Sequence, residues 1–143
     1  SKITFIDGDK GILCYRGHNI IDLVNSNKSF VEIIYLLFYG TFPNVQDLQN
    51  FILQISQEYA PPKIVYDVIK SFSQDSHPMS ILMACFSALA SYYHDQKDDK
   101  DELEFAKSAV AKVASTVALI YRYITNQDFI GADPELSYSE NFV

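Results

Sequence analysis

Residues 29–43 read Ser-Phe-Val-Glu-Ile-Ile-Tyr-Leu-Leu-Phe-Tyr-Gly-Thr-Phe-Pro, and their order predicts both ends of one helix. Ser29 with Glu32 is a capping box, in which the hydroxyl and the carboxylate each satisfy a backbone N–H that the first turn leaves without a partner. Phe30, Ile33, Ile34, Leu37 and Phe38 then recur on one face at helical spacing. Gly40 supplies a residue tolerant of the left-handed conformation that closes a helix, and Pro43 cannot continue one.

Downstream the same period repeats. Asn44 is the next cap, with Leu48, Phe51, Ile52 and Ile55 as the buried face. Pro61-Pro62 ends that helix and opens another, whose core side is Val65, Val68, Ile69 and Phe72. Asp75-Ser76 is read as the cap of a helix starting near His77-Pro78. From Met79 to Ala90 nearly every position is apolar, which predicts a central helix surrounded on all sides. The charge run His94–Asp101 (HDQKDDKD) reads as a solvated loop. A last long helix is predicted from about Glu102 to Ile124, with Ala106, Ala109, Val110, Val113, Ala114, Val117 and Ala118 as a small-residue packing face. Ser137-Tyr138-Ser139-Glu140 is a second capping box, predicting a helix that begins near Tyr138 and is cut at Val143.

Upstream, residues 2–17 carry the β signal. Ile3–Ile6 and Ile12–Tyr15 read as two strands joined by Asp7-Gly8-Asp9-Lys10-Gly11, whose glycines are expected to supply the positive φ of a tight hairpin. Helical periodicity starts at about Ile20. The fold class is therefore mainly α, a helical bundle with a short N-terminal β-hairpin.

Composition excludes several functions. With 48% hydrophobic and 14% aromatic residues over 143 positions, the chain can build a core. Its formal charge of −7 repels polyanions and argues against nucleic-acid binding. The longest apolar stretch, around Ile81–Ala90, is too short for a bilayer, and the N-terminus has no signal-peptide pattern, so the expected location is cytoplasmic. Cys14 and Cys85 are read as reduced, buried small hydrophobes. His18, His77 and His94 lack the spacing of metal ligands, so no metal site is expected.

No nucleophile elbow, phosphate-cradling glycine loop or dinucleotide fingerprint is present. His77, in the first turn of a helix, is read first as a packing or capping residue and second as a ligand contact. Tyr92, Tyr93 and His94 form a polar-tipped aromatic cluster, read first as packing and second as a ligand or subunit contact. Lys112 and Arg122 are read first as solvated helix charges and second as phosphate binders.

Ser1–Leu13 followed by Tyr15-Arg16-Gly17 resembles the hairpin that opens the main domain of citrate synthases. Collinear with it, Tyr35–Gly40 with Pro43, Asp75–Met79, Tyr92–Asp95, and Tyr121-Arg122-Tyr123 with Phe129, Leu136–Tyr138 and Asn141-Phe142 resemble further motifs of that family. The resemblance spans all 143 residues and casts them as the N-terminal portion of the large helical domain. It implies a longer, dimeric or hexameric enzyme of the tricarboxylic acid cycle that condenses oxaloacetate with acetyl-CoA as co-substrate, with no covalent cofactor. In the family a carboxylate base enolises the thioester, a neutral histidine stabilises the enolate oxygen and a second histidine polarises the ketone. Those groups, and the arginines that grip oxaloacetate, have no counterpart here, so the resemblance implies no catalytic residue within this chain. Self-association is expected, because the apolar helices need a cover.

The resemblance also provides an allosteric NADH pocket, found in the hexameric branch, to compare residue by residue. Tyr93 and Lys112 match its tyrosine and lysine. Ser108 stands where the family has an arginine, and its cationic run falls near Gln57-Glu58-Tyr59-Ala60. A region containing Glu58 should repel a pyrophosphate, which implies weak or absent NADH inhibition. The segment Tyr123–Phe129 lacks the family's Gly and Pro, so its loop should differ locally. Together these departures suggest a diverged paralogue. The alternatives carried forward are a 2-methylcitrate synthase fragment and a non-catalytic helical interaction module.

Overall fold

A computed structural model of the chain describes residues 1–95 and 102–143. It divides into two compact units, Ser1–Leu53 and Gln54–Val143. Among the described residues are six helices and one three-stranded sheet.

The first unit opens with antiparallel strands in the order β1 (Thr4–Asp7), β2 (Ile12–Tyr15) and β3 (His18–Asn19). Thr4 pairs with Tyr15 and Asp7 with Ile12, so the first strand lies one residue later than periodicity suggested. Gly11, at φ +63°, turns the connection, whereas Gly8 is not left-handed, contrary to the reading that both glycines serve the turn. The Asp7 carboxylate accepts from Lys10 N–H at 3.1 Å and organises the rest of the loop. β3 was not foreseen. It forms because Arg16 and Gly17 both adopt positive φ, 50° and 88°, making the two-residue turn that matches strand twist and pairing Tyr15 with His18.

Asn19 then accepts from Ile21 N–H at 2.9 Å and caps α1 (Ile20–Asn25). Helix α2 (Phe30–Tyr39) starts at the predicted box, with both halves formed, and ends on Gly40 at φ +82°. Its most buried side chains are Ile34 and Leu36 rather than the whole predicted stripe, and Phe30 is exposed. Helix α3 (Val45–Gln57) is capped by Asn44, whose side chain accepts from Asp47 N–H at 2.8 Å. Phe51 and Ile55 are buried as expected, whereas Ile52 is exposed. Within the first unit Phe51 meets Tyr35 edge-on at 5.2 Å.

The second unit is built on α4 (Lys63–Ser71), α5 (Pro78–Asp95) and α6 (Glu102–Ile124). Its core is Val65 and Ile69 from α4, Ile81, Cys85 and Leu89 from α5, and Leu119 and Ile120 from α6. These recur at helical spacing, so each helix turns one stripe inward. The cap of α5 is His77 itself, whose Nδ1 accepts from Met79 N–H at 3.2 Å. Asp75-Ser76 instead belongs to the preceding turn, where Ser73 accepts from both. Although α5 is apolar all round, it is not surrounded: Met83 is 70% exposed.

Helix α6 departs from expectation in another way. Of the predicted small-residue face only Ala114 is fully buried. The buried positions include Ala111 and also Lys107, Ser108, Lys112, Ser115 and Thr116, five polar residues that composition alone would place in solvent. After Ile124, Asn126 at φ 57° takes the left-handed position usual for glycine, and Gln127 N–H donates to Arg122 O at 2.7 Å. Most of the predicted charged loop, residues 96–101, lies outside the described residues; His94 is in α5. The Ser137/Glu140 capping pair forms, and the residues that follow make turns.

Candidate functional site

The chemistry-bearing side chains of the second unit meet where the C-terminal part of α5 faces the N-terminal half of α6. Ser108 and Lys112, four residues apart, lie on one face of α6, with their side chains 3.0 Å apart. Glu58, one residue beyond α3, reaches both: its Oε2 accepts from Ser108 Oγ at 2.7 Å and from Lys112 Nζ at 2.5 Å. Tyr93 of α5 closes the set, with its hydroxyl 2.7 Å from Ser108 Oγ.

The protons can be assigned consistently. Lys112 has three donors and no acceptor, and Glu58 is acceptor only. If Ser108 gives its one proton to Glu58, the Tyr93 hydroxyl donates to Ser108. Two donors then converge on a single carboxylate oxygen, in the manner of an oxyanion-binding cradle. Lys112 Nζ also lies 5.6 Å from the centroid of the Tyr93 ring, within cation–π range. Phe105 packs edge-on against that ring at 5.6 Å.

The burial is asymmetric. Lys112 is 4% exposed, whereas the Glu58 side chain is 38% exposed. A neighbouring pair repeats the pattern, with the buried Lys107 ammonium bonded to the more exposed Glu104. Between them lies a recess of about 40 Å³ lined by Gln54, Ile55, Glu58, Glu104, Lys107 and Ser108.

Tyr93 and Lys112 are thus brought together, and Lys112 is not the solvated charge that its helix position suggested. The sequence carried the identities of Glu58 and Ser108 but no local sign that they join Lys112. Their hydrogen bonds bridge 50 and 54 positions.

Other candidates fall elsewhere. Tyr92 meets Tyr93 edge-on at 5.6 Å, and His94 is exposed in the last turn of α5. His77 caps a helix. Arg122 donates through Nε to the Asp128 carbonyl and lines a cavity of about 110 Å³ with Ser115, Leu136 and Asn141. A wholly apolar recess of about 230 Å³ lies between α5 and α6, lined by Pro78, Met79, Leu82, Val117, Ile120, Tyr121 and Ile124. Among the described residues no group of three or more His, Cys, Asp or Glu side chains is placed to hold a metal. Nor is any of their helices long and apolar enough to cross a membrane.

Six helices and a short three-stranded antiparallel sheet among the described residues define a mainly α, citrate synthase-like fold. The family model for citrate synthase, C-terminal domain, matches residues 1–143, and the chain belongs to the citrate synthase family. Its fold is similar to that of citrate synthase from Thermoplasma acidophilum, solved as a ternary complex with carboxymethyl coenzyme A and oxaloacetate.

 

The match to it has a TM-score of 0.89 at 28% identity, covering 99% of this chain and 38% of that one. Citrate synthase from Pyrobaculum aerophilum gives a TM-score of 0.85 at 28% identity, with 99% and 38% covered. The enzyme from Thermotoga maritima MSB8 gives 0.82 at 25% identity, with 99% and 37% covered. The chain therefore spans 37–38% of the length of these solved relatives.

Proposed function

We propose that these 143 residues form the N-terminal portion of the large helical domain of an enzyme that condenses acetyl-CoA with oxaloacetate, giving citrate and CoA. The observation that carries this reading is the match, over 99% of the chain, to an enzyme solved with carboxymethyl coenzyme A and oxaloacetate. On this reading the present residues are scaffold, and the groups that move the proton and grip the acids belong to other polypeptide. Each histidine has a local setting: His18 packs edge-on against Phe42 at 5.2 Å, His77 caps α5, and His94 is exposed in the last turn of α5.

The working form is read as a cytoplasmic homo-oligomer, a dimer or hexamer. Self-association is supported by the apolar recess between α5 and α6, by the exposure of Met79 and Tyr121 in its lining, and by the exposure of Met83 elsewhere on α5. The cytoplasmic reading is supported by two unbridged thiols, Cys14 and Cys85. Tyr93 and Lys112 are read as the remnant of an allosteric NADH pocket in which the Glu58 carboxylate now faces the ammonium.

The test is to sequence the reading frame beyond Val143 and assay its whole product for CoA release. Release that requires both acetyl-CoA and oxaloacetate supports the proposal. A clear preference for propionyl-CoA selects a 2-methylcitrate synthase instead. A stop codon at Val143 with no thioester cleavage selects the non-catalytic interaction module.

A further inference from the structure

We infer that Glu58 is a tethered anion, occupying with its own carboxylate oxygen a cradle that would otherwise take a phosphate-type oxyanion. The inference deepens the reading of Tyr93 and Lys112 as a former anion site and rests on it. It names what closes that site.

Three features carry it. First, Lys112 Nζ and Ser108 Oγ converge on one oxygen, Glu58 Oε2, at 2.5 and 2.7 Å. Second, the cation is the fixed partner: Lys112 is 4% exposed and stays anchored by Ser108 Oγ at 3.0 Å and the Tyr93 ring at 5.6 Å. The carboxylate is the exposed partner, on a residue just past the end of α3. Third, the recess of about 40 Å³ beside Glu58 gives room for oxygens beyond the one already bound.

A buried ammonium stripped of its counter-ion must recruit another or lose its charge. Removing the Glu58 carboxylate should therefore convert the closed cradle into an anion site, with one oxygen of a tetrahedral anion bonding Lys112 and another bonding Ser108. Chloride, with no directed lone-pair array to span both donors, is the poorer substitute.

Thermal unfolding of the chain in sodium phosphate, against sodium chloride at equal ionic strength, tests this with inorganic phosphate as the probe. The E58A variant should gain about 4 °C in a saturable manner, the wild type should gain under about 1 °C, and E58A/K112M should respond like the wild type. An equal phosphate response in E58A and the wild type, or an undiminished response in E58A/K112M, overturns the inference. If E58A loses its helical signal in chloride, recovery in phosphate supports the tethered anion, and a chain unfolded in both salts contradicts it. The underlying reading fails separately: saturable NADH binding by the wild type would show that the nucleotide pocket was never lost.

Discussion

The Arg16 guanidinium donates to the Leu37 carbonyl through both Nε, at 3.0 Å, and Nη2, at 2.7 Å, and Nη2 also reaches the Phe38 carbonyl at 3.3 Å. Carbonyls in the last turn of α2 have no intrahelical donor, and the negative end of the helix dipole favours a cation beside them. A residue of the β2–β3 turn therefore closes a helix that begins fourteen positions later, at Phe30.

R16A should destabilise the first unit by about 2 kcal/mol, the scale of a charged hydrogen bond lost from a half-buried site. R16G should cost less, because Arg16 sits at φ 50° and glycine relieves that conformation. Urea unfolding reads both. An R16A midpoint equal to the wild type would show that the guanidinium contributes nothing.

Ser29 and Glu32 predict a pH-dependent helix start. The backbone N–H of Ser29, then Lys28, hold the Glu32 carboxyl below its ordinary value. Its contribution is therefore complete above the ordinary carboxylate pKa of about 4.3 and is lost as pH falls through the lower folded value. E32Q should cost about 0.5 kcal/mol at neutral pH, a figure discounted for solvent screening, and progressively less in acid. A difference that grows on acidification would contradict the assignment.

Burial pushes the Cys85 thiol up to about 11. At pH 8 only about a thousandth of it is thiolate, and the side chain is fully buried. Iodoacetamide should label the half-buried Cys14 at least tenfold faster than Cys85, as read by peptide mass spectrometry. Equal labelling of both in the folded chain would sink the packing described for α5.

Ile81 is fully buried at the centre of the second unit. I81A should cost about 3 kcal/mol through lost transfer energy and the cavity left behind, while M83A, on the exposed side of the same helix, should change stability by less than about 0.5 kcal/mol. Comparable losses at both positions in chemical denaturation would show that α5 buries a different face.

Much of this was legible because it is local. Ser29 with Glu32, Asn44, Gly40 and the stripes through Val65 and Ile69 declare themselves within a few residues, and helix boundaries follow from them. What escaped depends on distant partners. Nothing near Lys112 announces Glu58, so a buried ion pair read as a solvated charge. Leu36 and Ile52 changed places with respect to burial because helical periodicity sets relative positions on a face, while tertiary packing decides which part of it is covered. At α5 the composition is uniformly apolar, so no stripe distinguishes the side facing Leu119 from the one bearing Met83. The short β3 strand was hidden because two residues are too few to show alternation, and only the Arg16-Gly17 turn could have signalled it.

The most direct test of the account is CoA release by the 143-residue chain itself, supplied with acetyl-CoA and oxaloacetate and followed with a thiol reagent after correction for Cys14. The account predicts no release above the buffer rate at any protein concentration. Turnover that depends on oxaloacetate and scales with the chain would place catalytic groups among these helices and contradict it.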